Sequence, residues 1–142
     1  MMILLIFVIV LFTLSIFIKN QSEFRQIDIG GNKLMVEIAK TNLQKINGLS
    51  NRKVLDNDTG MLFYYNDYVL PDFWMKEMNF SLDIIWIKDN RVVEVSENLL
   101  PEGVDPKNIY RPSQPVNFVL EVPGGYVAQK QIKIGDKFII DK

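Results

Sequence analysis

Seven side chains of this 142-residue chain combine a reactive or binding chemistry with a suggestive setting: Arg52, Trp74, Lys76, Asp83, Tyr110, Arg111 and Glu121. Lys76 and Asp83 stand out because each interrupts the bulky, apolar run FWMKEMNFSLDIIWI over residues 73–87. If 72–78 and the segment after it are consecutive strands joined around Asn79-Phe80 by a two- or four-residue turn, the register sets Lys76 opposite Asp83. Trp74 would share that face and cover the lysine stem, adding a cation–π contribution. The expectation is one ion pair, serving either as a structural device or as the centre of a site.

Other chemistries are open to the same residues. Asp83 and Glu121 could act as an acid/base pair on a glycosidic bond if their carboxyls converge. A desolvated lysine beside a tryptophan can serve as a Schiff-base amine, although an aspartate partner works against that use. Arg52 could clamp a carboxylate or phosphate through its two-pronged guanidinium, or be occupied by Asp56, Asp58 or Glu121. The candidate ligand-binding set is therefore Arg52, Trp74, Lys76, Asp83, Tyr110 and Glu121, with no catalytic residue assigned.

Composition removes many alternatives. The chain has neither Cys nor His. Disulfides, thiol nucleophiles, histidine bases and nearly all zinc or haem sites are thereby excluded, and no metal or cofactor is expected. The net charge of −1 and the lack of a basic run offer nothing to nucleic acid. Nucleotide loops, nucleophile elbows and EF-hand ligand series are absent. DNDTG at 56–60 reads as a turn.

The elements that must position these residues are mostly strands. QIDIGGNKLMVEIA reads as a hairpin turned by Gly30 and Gly31. TNLQKINGLSNR changes period: Thr41 and Gln44 make a capping box, Leu43 and Ile46 face the core, and Gly48 ends one short helix. Apolar segments GMLFYY, DFWMKEM, LDIIWIK and RVVEVS follow, the last two joined by a tight Asp89-Asn90 turn. Residues 97–115 carry Pro101, Pro106, Pro112 and Pro115 and should form an ordered loop. VNFVLEV resumes a strand, YVAQKQI makes a helical turn, and KFII closes the domain. The reading is a mostly β domain, α+β with a minor helix, built as a compact antiparallel sheet or partly closed barrel.

Residues 1–18, MMILLIFVIVLFTLSIFI, hold no charge. As a helix they would reach roughly 27 Å, enough to span a bilayer. No basic residue precedes the run and no small-residue cleavage site follows it, so an uncleaved transmembrane anchor is expected in preference to a signal peptide. Residues 19–25 then form a polar spacer and 26–142 the domain. Lys19 and Arg25 weakly favour a cytoplasmic domain.

The order of motifs carries a resemblance. GLSNR at 48–52, GMLF at 60–63, WMK at 74–76 followed by LDI at 82–84, LEVPGG at 120–125 and GD at 135–136 together resemble the domain-of-unknown-function family 192, DUF192 or UPF0127, over roughly residues 34–140. The resemblance implies a compact β-rich domain with no established activity or cofactor, commonly held outside the cytoplasm, and it shifts the expected placement there. Two positions depart from the family's usual pattern: Ser50 replaces a methionine in the first motif, and Glu77 and Met78 replace Asn and Thr after WMK. The resulting expectation is a membrane-tethered module outside the cytoplasm that binds a small ligand or an envelope component. A carbohydrate hydrolase using Asp83 and Glu121, and a purely structural interaction domain, are the alternatives.

Overall fold

The structure, a computed structural model, describes residues 22–141. The expected anchor over 1–18 lies outside the described residues. Within them no helix is long and apolar enough to cross a membrane.

Seven strands form one sheet: β1 (Glu23–Ile29), β2 (Asn32–Ala39), β3 (Thr59–Val69), β4 (Leu82–Lys88), β5 (Arg91–Leu99), β6 (Val116–Pro123) and β7 (Phe138–Ile140). Two short helices complete the domain, α1 (Asn42–Asn47) and α2 (Tyr126–Lys130). The spatial order is β5-β4-β6-β3-β2-β1-β7. Every pairing is antiparallel except β2 with β3, which α1 joins as a crossover. The sheet curls into a half-barrel. Its edge strands meet at one corner, where Arg91 bridges Lys137 and the Val92 amide donates to the Asp136 carbonyl at 3.0 Å.

Local signals explain most elements. Gly30 and Gly31 both have positive φ, as a two-residue hairpin turn requires, and Ile29 pairs with Asn32 across it. Asp89 and Asn90 take the same left-handed conformations between β4 and β5. Thr41 and Gln44 form the capping box, and the Gly48 amide donates to the Gln44 carbonyl. Gly60 is confined by close approach: a Cβ there would lie 2.5 Å from the Glu121 carbonyl oxygen on β6.

The sheet is covered on both faces, which is why LDIIWIK in β4 lacks polar alternation. Inside the curl pack Ile27, Val36, Leu62, Ile85 and Leu120 with Tyr126 and Val127 of α2. On the other face Met61, Phe63, Ile84 and Trp86 pack against Leu49 and the 73–78 segment. Phe73 stands edge-on to both Phe63 and Trp86, with ring centroids 4.8 and 5.4 Å apart.

Two local expectations are corrected. The segment 72–78 is not a strand beside β4, because β5 and β6 already occupy both edges of β4. It is an extended strap over the outer face, clipped to the proline-rich loop by bridges Phe73 to Tyr110 and Lys76 to Glu102. Leu43 and Ile46 do not face the core; they are 65% and 61% exposed, and α1 buries no residue.

Candidate functional site

The expected Lys76–Asp83 pair does not form. Asp83 is fully buried, and its carboxylate accepts three backbone N–H groups: Asn98 at 2.7 Å, Gly125 at 3.0 Å and Val127 at 2.8 Å. It ties the end of β5, the turn after β6 and the start of α2 to β4. Lys76 lies in a depression on the opposite side of the sheet and makes no ion pair among the described residues. The two segments are not neighbours, because β5 and β6 flank β4. Lys76→Met is accordingly expected to leave stability within about 0.5 kcal/mol of the parent, the usual range for a surface change, as read from a urea midpoint.

Asp83 and Glu121 are likewise separated. Asp83 pairs with Val122, and Ile84 with Glu121, so the two carboxylates project from opposite faces of the sheet. These two residues cannot converge on one glycosidic bond. Tyr110 exchanges backbone hydrogen bonds with Phe73, holding the strap to the proline-rich loop, and Arg111 pairs with Asp72 at 2.6 Å.

What the fold does bring together is Glu121, Arg52, Trp74 and Lys76, around the C-terminal end of α1. The chain leaves α1 through Gly48 at φ +48° and runs beside the strap. The Ser50 hydroxyl donates to the Lys76 carbonyl at 2.8 Å, and the Asn51 amide donates to the Glu77 carbonyl at 2.8 Å. Glu77 sits at φ +53°, a left-handed conformation that asparagine adopts more readily than glutamate.

Between α1 and the strap lies a cleft. One part of it, about 30 Å³, is lined by Gly48, Leu49, Phe63, Phe73, Met78 and Glu121 among others and has room for a water or two. Ile46 and Trp74 line it and are shared by two adjoining depressions. One, of about 390 Å³, includes Lys76 and Asn51; the other, of about 260 Å³, includes Lys45 and Tyr65.

Glu121 dominates the electrostatics. It is 5% exposed, and its Oε2 has no hydrogen-bond partner among the described residues. Burial pushes its carboxyl up to about 8, against a smaller pull from the Arg52 charge. Arg52 is itself engaged by Glu37 at 2.6 Å, and Ser22 donates to the other Glu37 oxygen at 2.6 Å. Sequence reasoning missed Glu37 as the arginine's partner. The signal was present, since Glu37 lies between Val36 and Ile38 in a strand buried on both sides. Lys45 stands over the Tyr65 ring at 4.1 Å, and burial lowers its ammonium from the ordinary lysine range. Burial, reinforced by the Glu121 charge, raises the Tyr65 phenol to about 12.

Comparison with known proteins agrees with this fold. A crystal structure described as a "putative transcription regulator" from Sinorhizobium meliloti 1021 superposes with a TM-score of 0.79 at 27% identity, covering 84% of this chain and 95% of that one. A protein of unknown function from Novosphingobium aromaticivorans DSM 12444 superposes with a TM-score of 0.73 at 30% identity, covering 84% and 85% respectively. No curated protein matches the chain. The profile of DUF192, described as Uncharacterized ACR, COG1430, matches residues 25–140. Gly48, Gly60 and Glu121, which wall the cleft or pack beneath it, lie within that span, and the chain belongs to the DUF192 family.

Proposed function

We propose that the protein is a membrane-tethered, ligand-binding module displayed outside the cytoplasm, and that its site is the cleft between α1 and the strap. The observation that carries this reading is the Glu121 carboxyl, buried among the residues that line the cleft, with Oε2 unpartnered among the described residues. Buried polar atoms ordinarily have partners, and Glu121 is among the residues lining the cleft, so a ligand group seated there would supply the partner that the chain's described residues do not. Neutral below about pH 8, the carboxyl can both donate and accept a hydrogen bond.

The surroundings narrow the ligand. Trp74 and Ile46 offer an apolar flank, while Lys45 and Lys76 supply positive charge in the adjoining depressions. A small hydroxylated or carboxylated molecule fits this arrangement, with one oxygen reaching Glu121 and its body lying against the Trp74 ring. The tether is the apolar run of residues 1–18.

The test is a thermal-shift series on the full chain in detergent against monosaccharides and small hydroxy acids, with Glu121→Leu as the comparison. A binder at 100 times its Kd stabilises the folded state by about 2.7 kcal/mol. That shift should vanish in Glu121→Leu and, for acidic ligands, shrink in Lys76→Met. If no compound shifts the parent and Glu121→Leu simply stabilises it, Glu121 is a packing feature and the proposed site fails.

A further inference from the structure

The sheet carries a second cavity on its other face, remote from Glu121. It has a volume of about 450 Å³, within the range of small-molecule sites, and opens where β1 begins and β7 ends. Ile38, Leu62 and Phe118, all members of the core inside the curl, are among its lining residues. Tyr64 and Ile140 add to its walls, with the Tyr64 ring 5.4 Å from that of Phe118. Its remaining lining residues are Glu23, Arg25, Lys40 and Asp141. Glu23 engages both Arg25, at 2.9 Å, and Lys40, at 2.8 Å.

An apolar wall of Ile38, Leu62, Tyr64, Phe118 and Ile140, beside Arg25 and Lys40 that Glu23 already engages, does not suit a polar ligand, which needs convergent hydrogen-bonding groups. It suits an apolar chain whose polar end stays in water. The position of the opening selects among such chains. Four residues, 19–22, connect the apolar run of residues 1–18 to Glu23, and the five steps from residue 18 to Glu23 span at most about 18 Å. With residues 1–18 in a bilayer, the opening lies within that distance of the membrane surface.

We propose that this cavity takes up one acyl chain of a membrane phospholipid, making the barrel end a lipid-binding site separate from the α1 cleft. The inference rests on the tether being in the membrane. A partly withdrawn chain would exchange bilayer for contacts with Leu62, Phe118 and Ile140, while the headgroup remained near the charges of Arg25 and Lys40.

The test uses the full chain in phosphatidylcholine vesicles doped with a phosphatidylcholine bearing a photoactivatable diazirine near the end of one acyl chain. Irradiation followed by peptide mapping should place adducts on the segments containing Leu62 to Tyr64 and Phe118. Tyr64→Lys, which puts an ammonium on the cavity wall, should reduce those adducts about tenfold. Val104→Lys, on the exposed proline-rich loop, should not change them. Adducts confined to residues 1–21, or cavity adducts indifferent to Tyr64→Lys, would overturn the assignment while leaving the tether intact. Failure of the chain to float with the vesicles would overturn both. A concentration-dependent dimer that excludes the probe would show that a second copy occupies the cavity instead.

Discussion

Asp83→Ala is expected to destabilise the domain by about 3–5 kcal/mol, a large share of the 5–15 kcal/mol typical of a folded protein. The reason is local. One carboxylate satisfies the amides of Asn98, Gly125 and Val127, and its removal leaves three donors without that acceptor in a site closed to water. Gly125 has φ +85° and Asn98 φ +53°, so two of the three amides belong to backbone held in uncommon conformations that the carboxylate helps to define. Asp83→Asn should cost less, because it retains one acceptor, but its amide group must then face an N–H donor. Urea unfolding with an unchanged m-value is the measurement. A double-mutant cycle with Lys76→Met should give a coupling energy near zero; a coupling above about 1 kcal/mol would restore the ion pair that the geometry denies.

Glu121→Gln is expected to stabilise the protein, increasingly so as pH rises. Below about pH 4.5 the carboxyl is neutral in both folded and unfolded chains, and the variant should match the parent. Between 4.5 and about 8 the unfolded chain releases a proton that the folded chain retains, so this group's contribution to stability falls with pH, by at most about 1.4 kcal/mol per unit. Above about 8 both states are ionised and the slope disappears. Glutamine cannot ionise, so the difference between variant and parent should grow from near zero at pH 4.5 to at most about 4 kcal/mol at pH 8, the Arg52 pull being already contained in the raised value. Glu23, Asp58, Asp72 and Glu102 have carboxyls lowered by hydrogen-bonding neighbours and lose stabilising interactions in acid. Their contributions are common to both proteins and cancel in the difference. Equal pH dependence in the two proteins would show that Glu121 is ionised in the fold and that burial does not govern it.

A protein gains from such a costly group only if the group has a use. Stability rising on neutralisation of Glu121, together with loss of ligand response in Glu121→Leu, is the combination expected of a site maintained at the expense of the fold. The Asp83 result would be the reverse: a buried carboxylate whose hydrogen bonds are complete and whose removal weakens the domain.

Much of the fold was legible before any coordinates. The Gly30-Gly31 and Asp89-Asn90 turns, the Thr41 capping box, the strand of β6 and the helical turn of α2 all depend on residues close in sequence. Short-range sterics and capping hydrogen bonds decide such features, and they are written in local residue types. The motif series also identified DUF192.

Pairing across the fold was decided by the tertiary structure alone. The sequence put Lys76 and Asp83 seven residues apart, and a plausible hairpin made them partners. β6, contributed from more than thirty residues further on, instead pairs with β4 and sends the 72–78 segment across the outer face. Arg52 finds Glu37 and not the carboxylates nearer in sequence, and Glu121 lines the cleft with no ion pair among the described residues. Charged side chains reach their partners through contacts whose closure depends on the whole topology, so residue types indicated which groups could do chemistry while only the folded sheet determined which face each one occupies.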